Sequence, residues 1–444
     1  MLEARSLRWG ACELRGYLMT NNLEARHLRG NELCARYWQV RTATETLCET
    51  LAPEDYVAQS MPDASPVKWH LAHTTWFFEE FILQKFVPGY RFHNEAFRYL
   101  FNSYYQQVGP MHARPQRGLL TRPTIDQTRT YRAQVDESMH TLLDHDDVPE
   151  ELARLVTLGL HHEQQHQELL LTDVKHLFSC NPMLPAYTTH VEGPTRIAPP
   201  LLFREFPGGV VELGYDGNDF CFDNELPRHK TYAQPFRLAN RAVTNGDLLE
   251  FIRDGGYERP EHWLSEGWST VQREGWQRPI YWTPGNEQEF TLTGLRALNP
   301  NAPACHLSYF EADAFARWAG ARMPTETEWE VASAAATGRG NFVEDRAWHP
   351  LPAAPNPASQ PATPLLQMFG DVWEWTQSAY TPYPGYRAAE GALGEYNGKF
   401  MVNQLVLRGG SCATPRRHIR PTYRNFFPAT ARWQFTGLRL AADL

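Results

Sequence analysis

The sequence predicts an all-helical unit, a four-helix bundle, followed by an irregular α+β unit with much loop. Three observations carry this reading. The 444 residues exceed what one hydrophobic core usually serves. From about residue 32 to 180, apolar residues recur at helical spacing with good helix formers between them. Beyond a polar, proline-rich stretch at 181–200, Gly, Pro and Trp punctuate short apolar segments instead. The expected organisation is therefore a bundle at 31–180, a linker at 181–200 and an α+β domain at 201–444.

In chain order, residues 1–30 are set aside as an extension that need not be native, since 1–18 differ in texture and Met19 can serve as a start. Four helices are expected, at 31–51, 66–87, 123–145 and 148–178. Ser65-Pro66 and Arg122-Pro123 mark two of the starts: Ser65 reads as a cap, and proline fits the first turn, where its missing N–H leaves nothing unpaired. Helices of this length suit an antiparallel bundle. The connection 88–122 holds aromatics, prolines and two close arginines, so it reads as a functional loop that caps one end of the bundle. Further on, Gly209–Leu213, Phe236–Leu238 and Leu405–Leu407 read as short strands, and 244–254 and 308–320 as helices. Residues 350–364, rich in alanine and proline, read as an exposed excursion.

Composition excludes several functions. The net charge of −9 is spread without a basic stripe, against nucleic-acid or anionic-membrane partners. No apolar run of about 18 residues and no signal core occur, so a soluble cytoplasmic protein is expected. The 7 cysteines are scattered and lack any CxxC, which suits reduced thiols rather than a disulfide framework. Nothing in the sequence speaks to oligomeric state.

The stretch His161-His162-Glu163-Gln164-Gln165-His166-Gln167-Glu168 lies inside the fourth helical pattern. At about 100° per residue, His162 and His166 fall roughly 40° apart on one face and can converge on one ion. Two ligands rarely hold a catalytic metal, and His73 of Trp69-His70-Leu71-Ala72-His73 is the candidate third, on a facing helix. Neutral imidazole suits Fe, Zn, Cu or Ni, and spacing does not choose among them. A hydrogen-bonded core pair is the plainer alternative. Glu168 falls about 160° from His166 and reads as structural, whereas Gln165, about 60° from His162, can reach a bound ligand or simply face solvent. His70 and His161 read as packing or orienting groups. In the loop, Arg114 and Arg117 can clamp a carboxylate or stand as solvated arginines, and Tyr104 and Tyr105 can donate a proton or merely pack.

The segments Ser65 to His73 and His162 to Glu168 resemble the metal motifs of the iron-dependent sulfoxide synthases of ergothioneine biosynthesis, the hercynine oxygenases, whose bundle is DinB-like. The second half resembles the formylglycine-generating-enzyme, or sulfatase-modifying-factor, domain with its C-type-lectin-like fold. This likeness rests on Phe222-Asp223-Asn224-Glu225, Val243-Thr244-Asn245, Arg322 to Glu330, Gly370 to Thr376 and Leu407 to Ser411. Formylglycine-generating enzymes need a cysteine pair beyond the Gly-Gly-Ser turn, and this chain has only Cys412 there, so thiol oxidation by that domain is not expected.

The resemblance implies an iron-dependent oxidoreductase with Fe(II) on His73, His162 and His166. It implies Arg114 and Arg117 on the thiol substrate's carboxylate, and Tyr104 or Tyr105 as the catalytic phenol. Gln165 is placed beside the substrate. Asn425 and Phe426 are implied at the trimethylammonium group of hercynine. Phe427 stands where synthases using γ-glutamylcysteine typically have Asp, so L-cysteine is the thiol expected, with O₂ as the third reactant. An ovothiol-type synthase acting on histidine, a metal-dependent thiol transferase and a non-catalytic metal-binding, lectin-like protein remain as alternatives.

Overall fold

The computed structural model describes residues 30–145, 147–189, 196–336, 340–354 and 364–444. The set-aside segment 1–18 and most of the excursion at 350–364 lie outside the described residues. Four long helices build the first half: Gly30–Cys48, Val67–Phe78 with its continuation to Phe86, Ile125–Leu143 and Glu150–Ser179. The third begins where Thr124 accepts from the Gln127 amide while the Gln127 side chain returns to the Thr124 amide, a reciprocal cap. Ser65 departs from its expected role. Pro66 holds the cap position of the second helix without a side-chain bond, and Ser65 instead donates its amide to Asp173 and accepts from Arg117 at its hydroxyl oxygen.

Leu33, Tyr37, Trp76, Phe78, Met139, Val156 and Leu160 fill the bundle core. Beside them runs a buried ionic lattice in which Arg41 joins Asp136 to Glu163 and Arg132 also holds Glu163. The 88–122 loop contains two short elements, Glu95–Phe101 and the 3₁₀ turn Arg114–Leu119. It lies along the first turns of the second helix. Leu100, Phe101 and Leu120 accept there from Trp69, His73 and Lys68.

The second half carries short strands. β7 (Trp373–Ala379) lies between β10 (Thr436–Leu438), which runs parallel to it, and β8 (Leu405–Arg408), which runs antiparallel and pairs in turn with β9 (Asn425–Phe427). β1 (Phe203–Phe206), β4 (Phe236–Ala239) and β11 (Ala441–Asp443) form a second sheet, and β2 (Gly209–Leu213) with β3 (His229–Ala233) and β5 (Gln288–Thr291) with β6 (Gly294–Ala297) form hairpins. The expected helices are present as Asn245–Arg253 and Tyr309–Trp318, each opened by a capping box, Thr244 with Asp247 and Ser308 with Glu311. Ser265–Glu274 and Glu326–Ser333 are further helices.

Four acidic residues of the motifs quoted above meet buried or largely buried arginines. Glu225 pairs with Arg420, Glu326 with Arg424, Glu330 with Arg408 and Glu374 with Arg439. A buried charge is tolerated only when paired, so these motifs specify the scaffold. The 181–200 connection is partly docked: the buried Tyr187 donates its hydroxyl to the Leu47 carbonyl at 2.7 Å and its amide to Leu292 at 2.9 Å. Among the described residues, no helix is long and apolar enough to cross a membrane.

Candidate metal centre at the domain junction

The second and fourth helices bring His73, His162 and His166 together in the interior, with one potential ligand atom from each lying within 4.8 Å of the others. The Nε2 atoms of His73 and His162 are 3.2 Å apart. Two imidazoles sharing one ion at bonds of about 2.0–2.1 Å place their nitrogens about 2.9–3.4 Å apart, so this spacing fits a common metal. The rings are held firmly. His73 lies between the indoles of Trp69 and Trp76, 4.5 and 5.6 Å away and nearly parallel, and its Nδ1–H donates to the Phe101 carbonyl at 2.6 Å. His166 Nδ1 is 2.9 Å from His70 Nδ1, while His162 packs on Phe77 at 4.8 Å.

Burial, reinforced by the neighbouring imidazoles, holds His73 and His166 well below the usual histidine range, and burial brings His162 down to about 4. All three are neutral at pH 7 and keep a lone pair. His162 Nδ1 is buried without a hydrogen-bond partner. Three neutral nitrogen donors with no thiolate or carboxylate fit a mononuclear Fe, Zn, Cu or Ni ion with coordination positions left open.

The other residues singled out by sequence surround this centre at differing depths. Gln165 bridges to the second half: its Nε2 donates to the Tyr423 hydroxyl at 2.7 Å, and its Oε1 accepts from the Tyr396 hydroxyl at 3.0 Å. Arg117 is buried against the Trp69 ring at 3.4 Å and donates to the hydroxyls of Ser65 and Ser103, and burial lowers its pKa to about 9. Arg114 donates to the Tyr104 hydroxyl at 3.2 Å and to the Asp63 carbonyl. Each guanidinium retains a buried Nε–H without a partner. Tyr105 is buried against Trp76 at 5.7 Å and against Phe81 at 5.0 Å. Tyr104 meets Phe400 at 5.1 Å, Phe400 meets Phe426 at 5.7 Å, and Phe426 stacks on Tyr380 at 4.1 Å. This aromatic wall draws on both halves of the chain. Asn425 faces Leu407 in the β8–β9 register, and Phe427 lies 6.3 Å from Trp433.

Glu168 does not approach the histidines. Its carboxylate accepts from Trp373 Nε1 at 2.8 Å, Ser411 Oγ at 2.5 Å and Thr414 Oγ1 at 2.7 Å, joining the fourth helix to the second half. His161 likewise reaches across, with its Nδ1 3.0 Å from His418 Nδ1 and its ring stacked on Phe220.

Sequence reading passed over Tyr396, whose ring lies 6.1 Å from His162, as well as Phe400 and Tyr423. Tyr423 stands two residues before Asn425, a residue singled out by sequence, and that proximity is a usable signal. Tyr396 and Phe400 had only their four-residue aromatic spacing to mark them. Cys412 is buried, and burial pushes its thiol well above the usual range, away from a reactive thiolate.

Residues 36–170 match the DinB superfamily, and residues 205–444 match the sulfatase-modifying factor enzyme 1-like domain. The chain is 34% identical over 407 residues to the hercynine oxygenase of Mycolicibacterium thermoresistibile, covering 86% of this chain and 88% of that protein. It is 33% identical over 404 residues to the hercynine oxygenase of Mycobacterium tuberculosis, covering 86% and 92%. A third relative is ergothioneine biosynthesis protein 1 of Schizosaccharomyces pombe, 26% identical over 236 residues, half of this chain and 28% of that protein. With its helical first half, its sheet-containing second half and this similarity over most of its length, the chain belongs to the hercynine oxygenase family.

Proposed function

We propose that this chain is an iron(II)-dependent sulfoxide synthase that joins the sulfur of L-cysteine to C2 of the hercynine imidazole, giving hercynyl-cysteine sulfoxide in cytoplasmic ergothioneine biosynthesis. The observation that supports it above all is the buried convergence of His73, His162 and His166 in a chain similar along most of its length to hercynine oxygenases. In balance, the thiol S–H and the C2–H bond break, the C–S bond forms, one atom of O₂ goes to sulfur and the other leaves in water.

His73, His162 and His166 would hold the Fe(II), which when bound supplies O₂ activation and electron transfer. Arg114 and Arg117 orient the thiol substrate, each with an unpartnered Nε–H to offer its carboxylate. Tyr104 accepts from Arg114, so its own O–H is left to donate to a reactant. Tyr105, buried against Trp76, is the second candidate phenol. Gln165 lines the substrate side. Asn425 supplies a carbonyl dipole and Phe426 an aromatic face, a combination that suits a trimethylammonium group. Phe427 offers no carboxylate for a glutamyl amine, which favours cysteine.

The test is oxygen uptake by anaerobically iron-loaded protein. Uptake should require hercynine and cysteine together; uptake indifferent to hercynine refutes the synthase, and product without uptake points to a thiol transferase. Cysteine should give a higher kcat/KM than γ-glutamylcysteine, and the reverse order overturns the reading of Phe427. Arg114→Ala should chiefly raise the KM for the thiol, and an unchanged KM removes Arg114 from the clamp.

A further inference from the structure

We infer that Asp173 and His70 form a positioning relay that fixes the proton of His166 on Nδ1 and so presents its Nε2 lone pair toward His73 and His162. The inference rests on the three-histidine metal reading. Asp173 Oδ2 accepts from the Ser65 amide at 2.8 Å and lies 3.0 Å from His70 Nε2. A carboxylate only accepts, so His70 carries its proton on Nε2 and, when neutral, has a lone pair on Nδ1. That lone pair faces His166 Nδ1 at 2.9 Å, and the proton between them therefore belongs to His166. The reverse order, with His70 donating through Nδ1, leaves the proton of His166 on Nε2, within the space the three ligand atoms share.

Helix geometry brings the parts together. Asp173 follows His166 by seven residues, about 20° around the same helix, and His70 precedes His73 by three, on the adjoining face of the second helix. The fold thus sets two of the three imidazoles by different means. His73 gives its Nδ1–H to the Phe101 carbonyl, His166 gives its own to the relay, and His162 Nδ1 has no partner. Ser65 adds a link, since its amide holds Asp173 while its hydroxyl takes a bond from Arg117 at 2.9 Å.

The experiment is ¹⁵N NMR of the metal-free, histidine-labelled protein, together with anaerobic Fe(II) titration. In the wild-type protein, ring-nitrogen shifts should show His166 protonated at Nδ1 and bare at Nε2; a proton on Nε2 overturns the relay without recourse to any variant. His70→Phe removes the acceptor and should weaken Fe(II) binding about 10–100-fold, the usual cost of losing a partner behind a ligand. Asp173→Leu should do the same. Asp173→Asn should keep near-wild-type affinity, because the Ser65 amide selects the amide oxygen at the position of Oδ2. Wild-type affinity in His70→Phe refutes the relay. Unchanged Fe(II) binding in His166→Ala refutes the metal reading instead, and the tautomer measurement then still decides the relay by itself.

Discussion

Glu163 shows how much one residue of a motif can differ from its neighbours in role. It sits beside His162 in sequence, yet it accepts from Arg41 at 2.8 Å, Arg132 at 2.6 Å and Thr44 at 2.6 Å in the bundle interior. Burial alone would raise its pKa, but Arg132 and Arg41 outweigh that effect and hold it at about 2, against an ordinary value of 4.5. Its folded pKa is depressed, so its stabilisation is present above about 4.5 and disappears as pH falls toward 2. Glu163→Ala leaves Arg41 with Asp136 and Arg132 with Glu45, each one buried carboxylate bond short, and should cost about 3–5 kcal/mol in denaturant unfolding at pH 7. The gap between the variant and the wild-type protein should narrow steadily below pH 4.5. A gap independent of pH would show that the carboxylate's charge is not what matters. Angular position was legible in the sequence for every member of this stretch, including the turning away of Glu168. What each side chain meets was not, because the partners of Glu163 come from two other helices.

At the scale of an element, Gly159 lies inside the long helix Glu150–Ser179. Replacing a mid-helix glycine by alanine ordinarily stabilises by about 0.5–1 kcal/mol. Here an added Cβ would stand 2.8 Å from the Phe78 ring and 3.0 Å from that of Phe77. Those rings are core, so the sign reverses and Gly159→Ala should destabilise by about 1–3 kcal/mol, read as a lower Tm. Because Phe77 also packs on His162, Fe(II) affinity should fall in the same variant. A higher Tm would mean that the helices part at no cost. The long helices were legible because each spans several turns of apolar period. β9, β10 and β11 have three residues each, too few for an alternation to register, and their places are set by partners distant in sequence.

On the scale of the whole molecule, Glu168 ties the halves together through Trp373, Ser411 and Thr414, which lie 205, 243 and 246 residues further along the chain. No local pattern reveals such pairs, although the Gly-Gly-Ser turn that supplies Ser411 was visible as a motif. Burial raises the pKa of this carboxyl, while its three donors pull it back down. Glu168→Ala leaves those donors unpaired at the boundary, each at about 1–3 kcal/mol. Calorimetry should then resolve two thermal transitions where the wild-type protein shows one, and a single unshifted transition would deny Glu168 this role. Glu168 also stands only two residues after His166, about 3 Å along the helix axis. Hinging the halves apart would break the three Glu168 bonds within one helical turn of His166, so the histidine cluster sits where any opening motion would be felt. Tyr396 lies 6.1 Å from His162 and 6.5 Å from Phe400, so an aromatic pair of the second half borders the bundle beside that imidazole and shares in any such motion.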